Sequence, residues 1–356
     1  MIRKILVINP FGIGDVIFSM VLVEELKKSL PGARIGFLGN ERTVGLLRMN
    51  GSIDVCHVFN RDELRALRNK GLQFYVLRLK EYFNELKKER YDTVFDLSLG
   101  REFSFAAFLA GIPRRIGFNY KGRGLFLTHR TPFFGYEGKH VVDWQLSLLR
   151  HAGIESGAPF VKPTLSVSPG ANQKASGWMS SRGMKPDSKY FIVAPGGGRS
   201  WGENAVYKQW SPEKFAEAAN RWASHGGAIV LLGDSGEAGL LDEVGKQLKG
   251  PFVTASDLAL EISAAIIQRA EFLLGNDGGL VHLANALGVK TVSLYGPVDE
   301  KVYGPYNGGT KQEVLMEPVP CRPCYQRFHF PACEHQRRCL EELSTEKVLA
   351  AIQKIS

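Results

Sequence analysis

Residues 4–32 read KILVINPFGIGDVIFSMVLVEELKKSLPG. Lys4–Ile8 is a short apolar run closed by Asn9-Pro10-Phe11-Gly12-Ile13-Gly14, which reads as a strand entering a turn. A helical pattern follows over 15–30 and Pro31-Gly32 stops it. Residues 34–38, 55–59 and 93–97 read as further strands, and 101–110 and 141–152 as helices. Strands alternating with helices imply a parallel sheet covered on both faces. Over 161–189 the periodicity fades and Pro, Ser, Gly and Lys dominate, as in a linker. The alternation then restarts, with strands at 190–194, 228–232, 272–274 and 291–294 and helices at 212–224, 240–248, 259–267 and 280–287. The expected fold class is α/β, with two doubly wound parallel-sheet domains and a ligand cleft at the carboxyl ends of their strands.

Composition supports two domains of this kind. The chain has 356 residues, 44% hydrophobic, 23% charged and 10% aromatic, with 39 Gly and 17 Pro. Those proportions exclude disordered, collagenous, coiled-coil and disulfide-scaffold classes. No apolar run reaches the roughly 18–20 residues that span a bilayer. The longest, 16–22, is soon followed by Glu24, Glu25, Lys27 and Lys28. The N-terminal residues lack the features of a signal peptide, so a cytoplasmic location is expected. The formal charge of +9 is uneven: 24 Lys/Arg against 16 Asp/Glu in residues 1–160, and 21 against 20 thereafter. Arg114, Arg115, Lys121, Arg123 and Arg130 crowd one stretch, and Arg61, Arg65, Arg68, Lys70, Arg78 and Lys80 another. Either these are solvated faces, or the first half meets an anionic partner. No nucleic-acid-binding motif accompanies them, so nucleic acid is not the expected partner.

Three loops carry the chemical signal. The first is Gly12-Ile13-Gly14-Asp15. A dinucleotide fingerprint would need a third glycine where Ile17 stands and an acid near Asn40, and both are missing. Asp15 is either a helix N-cap or a general base on a glycine-lined loop. The second loop is Pro195-Gly196-Gly197-Gly198-Arg199-Ser200, whose backbone amides could nest around a phosphate. Lys208 follows it, just before a helix opened by Ser211-Pro212, as a second cation for the same anion or as a surface lysine. The third loop is Asn276-Asp277-Gly278-Gly279, leading into a helix with His282 one turn inside. Amides at a helix N-terminus form an anion site, and the imidazole can reach the same anion. Gly233-Asp234-Ser235-Gly236-Glu237 lies between the second and third loops and offers carboxylates for ribose hydroxyls.

The series Gly12-x-Gly14-Asp15-Val16, Lys208-x-Trp210, Gly233-Asp234-x-Gly236-Glu237, Asp277-Gly278-Gly279-x-x-His282-Leu283-Ala284 and Leu294-Tyr295-Gly296-Pro297 resembles glycosyltransferase family 9, which includes the lipopolysaccharide heptosyltransferases. The resemblance runs through nearly the whole chain. It implies a GT-B fold of two Rossmann-like domains: residues 1–165 binding acceptor, 166–189 as linker and 190–343 binding nucleotide-sugar. It also implies a C-terminal helix, 344–356, crossing back to the first domain. By the same resemblance Asp15 looks like the catalytic base, Lys208 like a diphosphate-binding lysine and Glu237 like a ribose contact. Asp277, Gly278, Gly279 and His282 look like the diphosphate loop. Gly196, Gly197 and Gly198 stand where known members place Thr or Ser beside the donor phosphates, so amides would replace hydroxyls. Gly12, Gly14, Arg115, Lys121 and Arg123 are the candidate acceptor contacts.

The chemistry asks for the same parts. Transfer from a nucleoside-diphosphate sugar needs charge stabilisation on the leaving diphosphate and removal of a proton from the acceptor hydroxyl. No Asp-x-Asp motif for a divalent metal occurs in the sequence. A metal-independent, inverting transfer is therefore expected, with no catalytic cofactor. The family resemblance makes ADP-heptose the favoured donor, and an anionic glycolipid, phosphorylated Kdo–lipid A at the inner-membrane surface, the favoured acceptor. The enzyme is expected to be a monomer peripherally associated with that membrane. Two alternatives stay open: a related transferase using another nucleotide-sugar such as UDP-N-acetylglucosamine, and an inactive nucleotide- or glycan-binding protein of the same fold. Separately, Cys321, Cys324, Cys333 and Cys339 cluster in the segment 321–339 with His329 and His335 interspersed. They suit a structural zinc or stand as unligated thiols, and a reducing compartment favours zinc over disulfides.

Overall fold

The computed structural model describes residues 2–155, 162–185, 187–224, 226–306 and 311–356, without the side chains of 61, 62, 65, 199 and 200. The side chains of Arg61, Arg65, Arg199 and Ser200, and positions 161 and 186 of the expected linker, thus lie outside the described residues. The chain divides into two compact units, Met1–Thr164 and Leu165–Ser356.

In the first unit the order is β1 (Lys4–Ile8), α1 (Ile13–Ser29), β2 (Arg34–Asn40), α2 (Val44–Arg48), β3 (Val55–Phe59), α3 (Arg61–Lys70) and α4 (Leu72–Glu89). It continues with β4 (Thr93–Asp96), α5 (Glu102–Leu109), β5 (Arg114–Tyr120), β6 (His129–Phe133) and α6 (Val141–Leu146). The strands pair in parallel in the order β3-β2-β1-β4-β5-β6. Connections leave β1 and β4 in opposite directions, which opens a crevice at their carboxyl ends. Ile8 is level there with both Leu38 and Asp96. Helices on both faces explain why Ile5 to Ile8 are all fully buried, and hence why β1 is an unbroken apolar run. The helix α1 is buried without interruption from Val16 to Leu26. Its Glu24 survives burial because Asn50, Ser52 and the Thr164 amide all donate to it.

The second unit contains α7 (Pro169–Ser180), β7 (Tyr190–Ala194), α8 (Pro212–Ala223), β8 (Ala228–Leu232), α9 (Ala238–Gly245), β9 (Phe252–Ala255) and α10 (Leu260–Gln268). It continues with β10 (Phe272–Asn276), α11 (Gly279–Ala286), β11 (Lys290–Leu294), α12 (Glu300–Tyr303), β12 (Gln312–Leu315), α13 (Arg338–Glu341) and α14 (Thr345–Ile355). Its parallel sheet, β12-β11-β10-β7-β8-β9, repeats the strand order of the first, with the crevice now between β7 and β10.

Two expectations about the connections need correction. The stretch 166–189, expected as a linker, carries α7, capped by Ser168 accepting from the Ala171 amide and packed on α10. Its buried residues are Ala171, Ala175 and Met179, too small a stripe to give a visible hydrophobic period. The final helix, expected to cross back to the first domain, places Val348, Ala351, Ile352 and Ile355 in one cluster with Phe215, Val292 and Leu294. Lys347 and Lys354 pair with Glu317 and Glu313 at 2.7 and 2.6 Å. Its apolar face is thus filled inside the second unit.

Candidate active site

In the first unit the loop after β1 is tied down by two asparagines. Asn9 donates from Nδ2 to the Asp15 carbonyl at 3.1 Å and to Ser19 Oγ, and accepts the Phe11 amide at its Oδ1. Asn40, at the end of β2, donates to the carbonyls of Pro10 and Phe11. It stands near the place of a ribose-binding acid in a dinucleotide site, and here it is a loop fastener. With the loop so held, α1 starts two residues before Asp15. Gly12 is its N-cap and Asp15 its third residue, where Asp15 Oδ2 accepts the Gly12 amide at 3.2 Å. The N-cap alternative for Asp15 is thereby corrected: it reaches back from inside the first turn. Gly12, Gly14 and Asp15 are half-buried together at the carboxyl end of the central strand.

Asp96, at the end of β4 beside them, carries no motif that marks it in the sequence. It is fully buried, with Oδ1 accepting the Ser98 amide at 2.9 Å. Burial pushes its pKa up to about 6, the Ser98 hydrogen bonds only partly opposing. The buried Leu99 just beyond it holds a left-handed φ of 59°.

The three candidate acceptor cations separate. Lys121 and Arg123 are exposed in the turn after β5, at the same sheet edge as Asp15, 5.1 and 5.7 Å from the Tyr120 ring centroid. Arg115 lies at the amino end of β5, level with Val94, at the opposite edge. Its guanidinium donates to the carbonyls of Phe126, Ile112 and Pro113, which makes it a brace for its own loops.

In the second unit the turns at 195–198, 233–237 and 276–279 converge, at the carboxyl ends of β7, β8 and β10. Asn276, buried at the end of β10, donates to the Pro195 carbonyl at 2.6 Å and accepts the Trp210 amide at 3.0 Å. It thereby fixes the glycine turn and the Lys208 stretch to one strand end. Within the glycine turn, a Cβ on Gly197 would sit 2.3 Å from the Ala205 carbonyl oxygen, and Gly198 holds φ at 82°. Glu237 accepts the Gly198 amide at Oε1, 3.3 Å, and the Asp234 amide at Oε2, 3.1 Å. It therefore stitches the β7 and β8 turns together.

Lys208 is buried, which removes the surface-lysine alternative. Its Nζ lies 2.7 Å from Asp277 Oδ2 and 5.0 Å from the Trp201 ring centroid. His282 Nε2 stands 3.8 Å from Asp277 Oδ1. Burial alone would raise the Asp277 pKa, but Lys208 and then His282 outweigh it and hold the carboxyl below its ordinary value. Tyr295, sealed against the same carboxylate, is held unionised by burial and by that charge. Asp277 thus pairs with both Lys208 and His282 and orients them. Gly278 caps α11 in extended conformation, and a Cβ there would meet nothing nearer than the Asn276 carbonyl at 3.6 Å. The first turn of α11, with no side-chain cap, thus opens next to a buried lysine and a buried histidine. That arrangement suits a doubly charged phosphate group.

Cys321, Cys324, Cys333 and Cys339 are free thiols, all at least half-buried, and line one pocket beside Tyr207. Burial pushes the Cys324 and Cys339 thiols up to about 11. No three metal-ligating side chains are preassembled among the described residues, and no described helix is long and apolar enough to cross a membrane.

This chain is similar to known proteins over its whole length. It is 22% identical to lipopolysaccharide heptosyltransferase 3 of Escherichia coli K12, covering 96% of this chain and 95% of that protein. Its fold matches the E. coli ADP-heptose lipopolysaccharide heptosyltransferase II structure with a TM-score of 0.80, at 21% identity over 99% and 98% of the two chains. An E. coli heptosyltransferase solved with ADP-2-deoxy-2-fluoro heptose matches at 0.73, with 16% identity over 99% and 100%. The paired six-stranded sheets are those of the GT-B fold. The family model of glycosyltransferase family 9 (heptosyltransferase) matches residues 79–330. A match that takes in the glycine turn, Lys208 and the Asp277–His282 loop, on this fold, means that the chain belongs to glycosyltransferase family 9 and is a glycosyltransferase of the heptosyltransferase type.

Proposed function

We propose that the protein transfers heptose from ADP-heptose to an anionic lipopolysaccharide inner-core acceptor, with inversion and without a catalytic metal. The buried Lys208–Asp277–His282 group at the uncapped start of α11 carries this reading. Leaving-group charge can be met there by an oriented cation, an imidazole and a helix N-terminus, the work a divalent ion does elsewhere. The relatives named as heptosyltransferases, and the fold match that holds an ADP-sugar analogue, support the donor. Glu237 would meet the ribose, and Gly196 to Gly198 the phosphates.

Asp15 is the proposed base. It takes the proton from the acceptor hydroxyl as that oxygen bonds to the anomeric carbon and ADP departs from the opposite face. Gly12 and Gly14 would let the acceptor approach, and Lys121 and Arg123 would meet its negative charge. Arg115 drops out of that set, being committed to three carbonyls. The acceptor lipid implies peripheral association with the inner membrane from the cytoplasmic side.

Asp15→Ala should lower turnover of ADP-heptose with a phosphorylated Kdo–lipid A acceptor by at least about a hundredfold, while ADP-heptose affinity stays within about twofold. ADP release and isothermal titration would read the two quantities. A variant turning over at the wild-type rate would remove Asp15 from the chemistry. Thermal stabilisation by UDP-sugars in place of ADP-heptose would overturn the donor.

A further inference from the structure

The transfer chemistry makes no use of the cysteine segment, yet three features of that segment point to a ligand. Cys321, Cys324, Cys333 and Cys339 are spread over nineteen positions, and all four line one pocket together with Tyr207 and Pro297. The backbone around them is strained. Of the seven described non-glycine residues with positive φ, four lie here: Arg327 and Phe328 at 51° and 64°, Gln336 and Arg337 at 50° and 58°. Such conformations persist only where the surroundings over-determine them. The segment has little core of its own to do so, since between 321 and 340 only Cys339 and Leu340 are buried. The Arg337 amide also donates to Cys333 Sγ at 3.4 Å, a contact that steadies a thiolate ligand.

Four sulfurs around one pocket, in a segment with little core of its own, match a tetrahedral thiolate site, whose metals are zinc and iron. Among the described residues no three of these sulfurs stand at ligand spacing. Binding would remove their protons and bring each sulfur to about 2.3 Å of the metal.

The same segment grips the stretch that carries Lys208. Arg337 donates from Nη1 to the carbonyls of Val206 at 3.0 Å and Gln209 at 3.3 Å, on either side of Lys208. Phe330 packs 5.1 Å from Tyr207 and 5.2 Å from Trp201, the ring that faces the Lys208 ammonium. The Cys324 amide donates to the Pro297 carbonyl at 2.9 Å. We propose that the four thiols bind one thiophilic divalent metal, zinc or iron, and that the segment so closed holds the Lys208 stretch in place through Arg337. The second half of this proposal rests on the donor reading above.

Metal analysis of the full chain, purified without a metal-affinity step, should find about one equivalent per chain. The double variant Cys324→Ser/Cys339→Ser should have lost it. Less than about half an equivalent in the wild type, or thiols recovered as disulfides, would overturn the site. If the double variant does not fold, stoichiometric metal release from wild type by a mercurial thiol reagent in the presence of a chromogenic chelator decides the ligands instead; no release would also overturn it. Elemental identity separates zinc from iron. Arg337→Ala keeps all four sulfurs, so it should keep its metal and bind ADP roughly tenfold more weakly, with a normal circular dichroism spectrum. Unchanged ADP affinity in that variant would overturn the brace. A wild type that holds the metal but binds no ADP would overturn the donor reading and the brace, and leave the metal site standing.

Discussion

Gly278 is a position where the needs of the fold and of the proposed ligand can be told apart. Its φ of −176° is open to any residue, and a Cβ there meets nothing within 3.5 Å, so the fold makes no demand for glycine. Gly278→Ala should therefore unfold within about 1 kcal/mol of the wild type. On the proposed donor site it should nevertheless weaken ADP binding, because the added methyl group would crowd a phosphate at the start of α11. Titration calorimetry beside urea unfolding reads both, and unchanged affinity would take the diphosphate away from this turn. Asp96 carries the opposite kind of signal. Its carboxyl is harder to ionise in the folded chain than in the unfolded one, because it is buried, and its folded pKa is about 6 against an ordinary 3.8. The resulting cost is small below pH 4, grows as the pH rises towards 6 and is complete above that. Asp96→Asn should thus be more stable than the wild type at pH 8 by roughly 2–3 kcal/mol, an advantage that shrinks on acidification towards pH 4. A variant less stable at pH 8 would mean that the ionised carboxylate is held by something stronger than the Ser98 amide.

At the scale of elements, the central strands and the edge strand β3 are legible in the sequence, whereas β5, β6, β9 and β12 are not. The runs KILVI and YFIVA are buried on both faces and read as strands from their apolar continuity alone. The stretches RRIGFNY and QEVL lie toward sheet margins, where polar residues are tolerated, and β5 reads only as a basic stretch. Turn chemistry is legible at α8, where Ser211 accepts the Lys214 amide and Pro212 opens the helix. The last helix is legible as a helix, but its partner is not. Ile352 is fully buried in the cluster with Phe215 and Val292. Ile352→Ala should cost about 2–5 kcal/mol in chemical denaturation of the whole chain. A loss under about 0.5 kcal/mol would show that α14 contributes little to the core of the second unit.

For the whole molecule the uneven charge is the main lever. The first 160 residues carry a net +8, and in the same unit Phe108 and Leu125 are half or more exposed, with the Arg115 guanidinium 5.4 Å from the Phe108 ring centroid. An apolar patch among cations favours an anionic lipid surface. The chain should sediment with vesicles containing anionic phospholipid, and not with neutral ones. Binding should fall in about 0.5 M salt, where exposed charges are screened, and in Phe108→Ser/Leu125→Ser. Equal binding to neutral vesicles would remove the electrostatic part of the membrane proposal. By itself the sequence determined the doubly wound α/β class and the order of the glycine turns, because strand burial and turn chemistry are local and leave their mark on neighbouring residues. Only the tertiary structure decided that Asp277 pairs with both Lys208 and His282, that Arg115 is tied to the carbonyls of its own loops, that the stretch before β7 is a helix, and that four thiols share a pocket. Those facts depend on which strand ends lie side by side and which side chains lose contact with water, and no spacing along the chain encodes that.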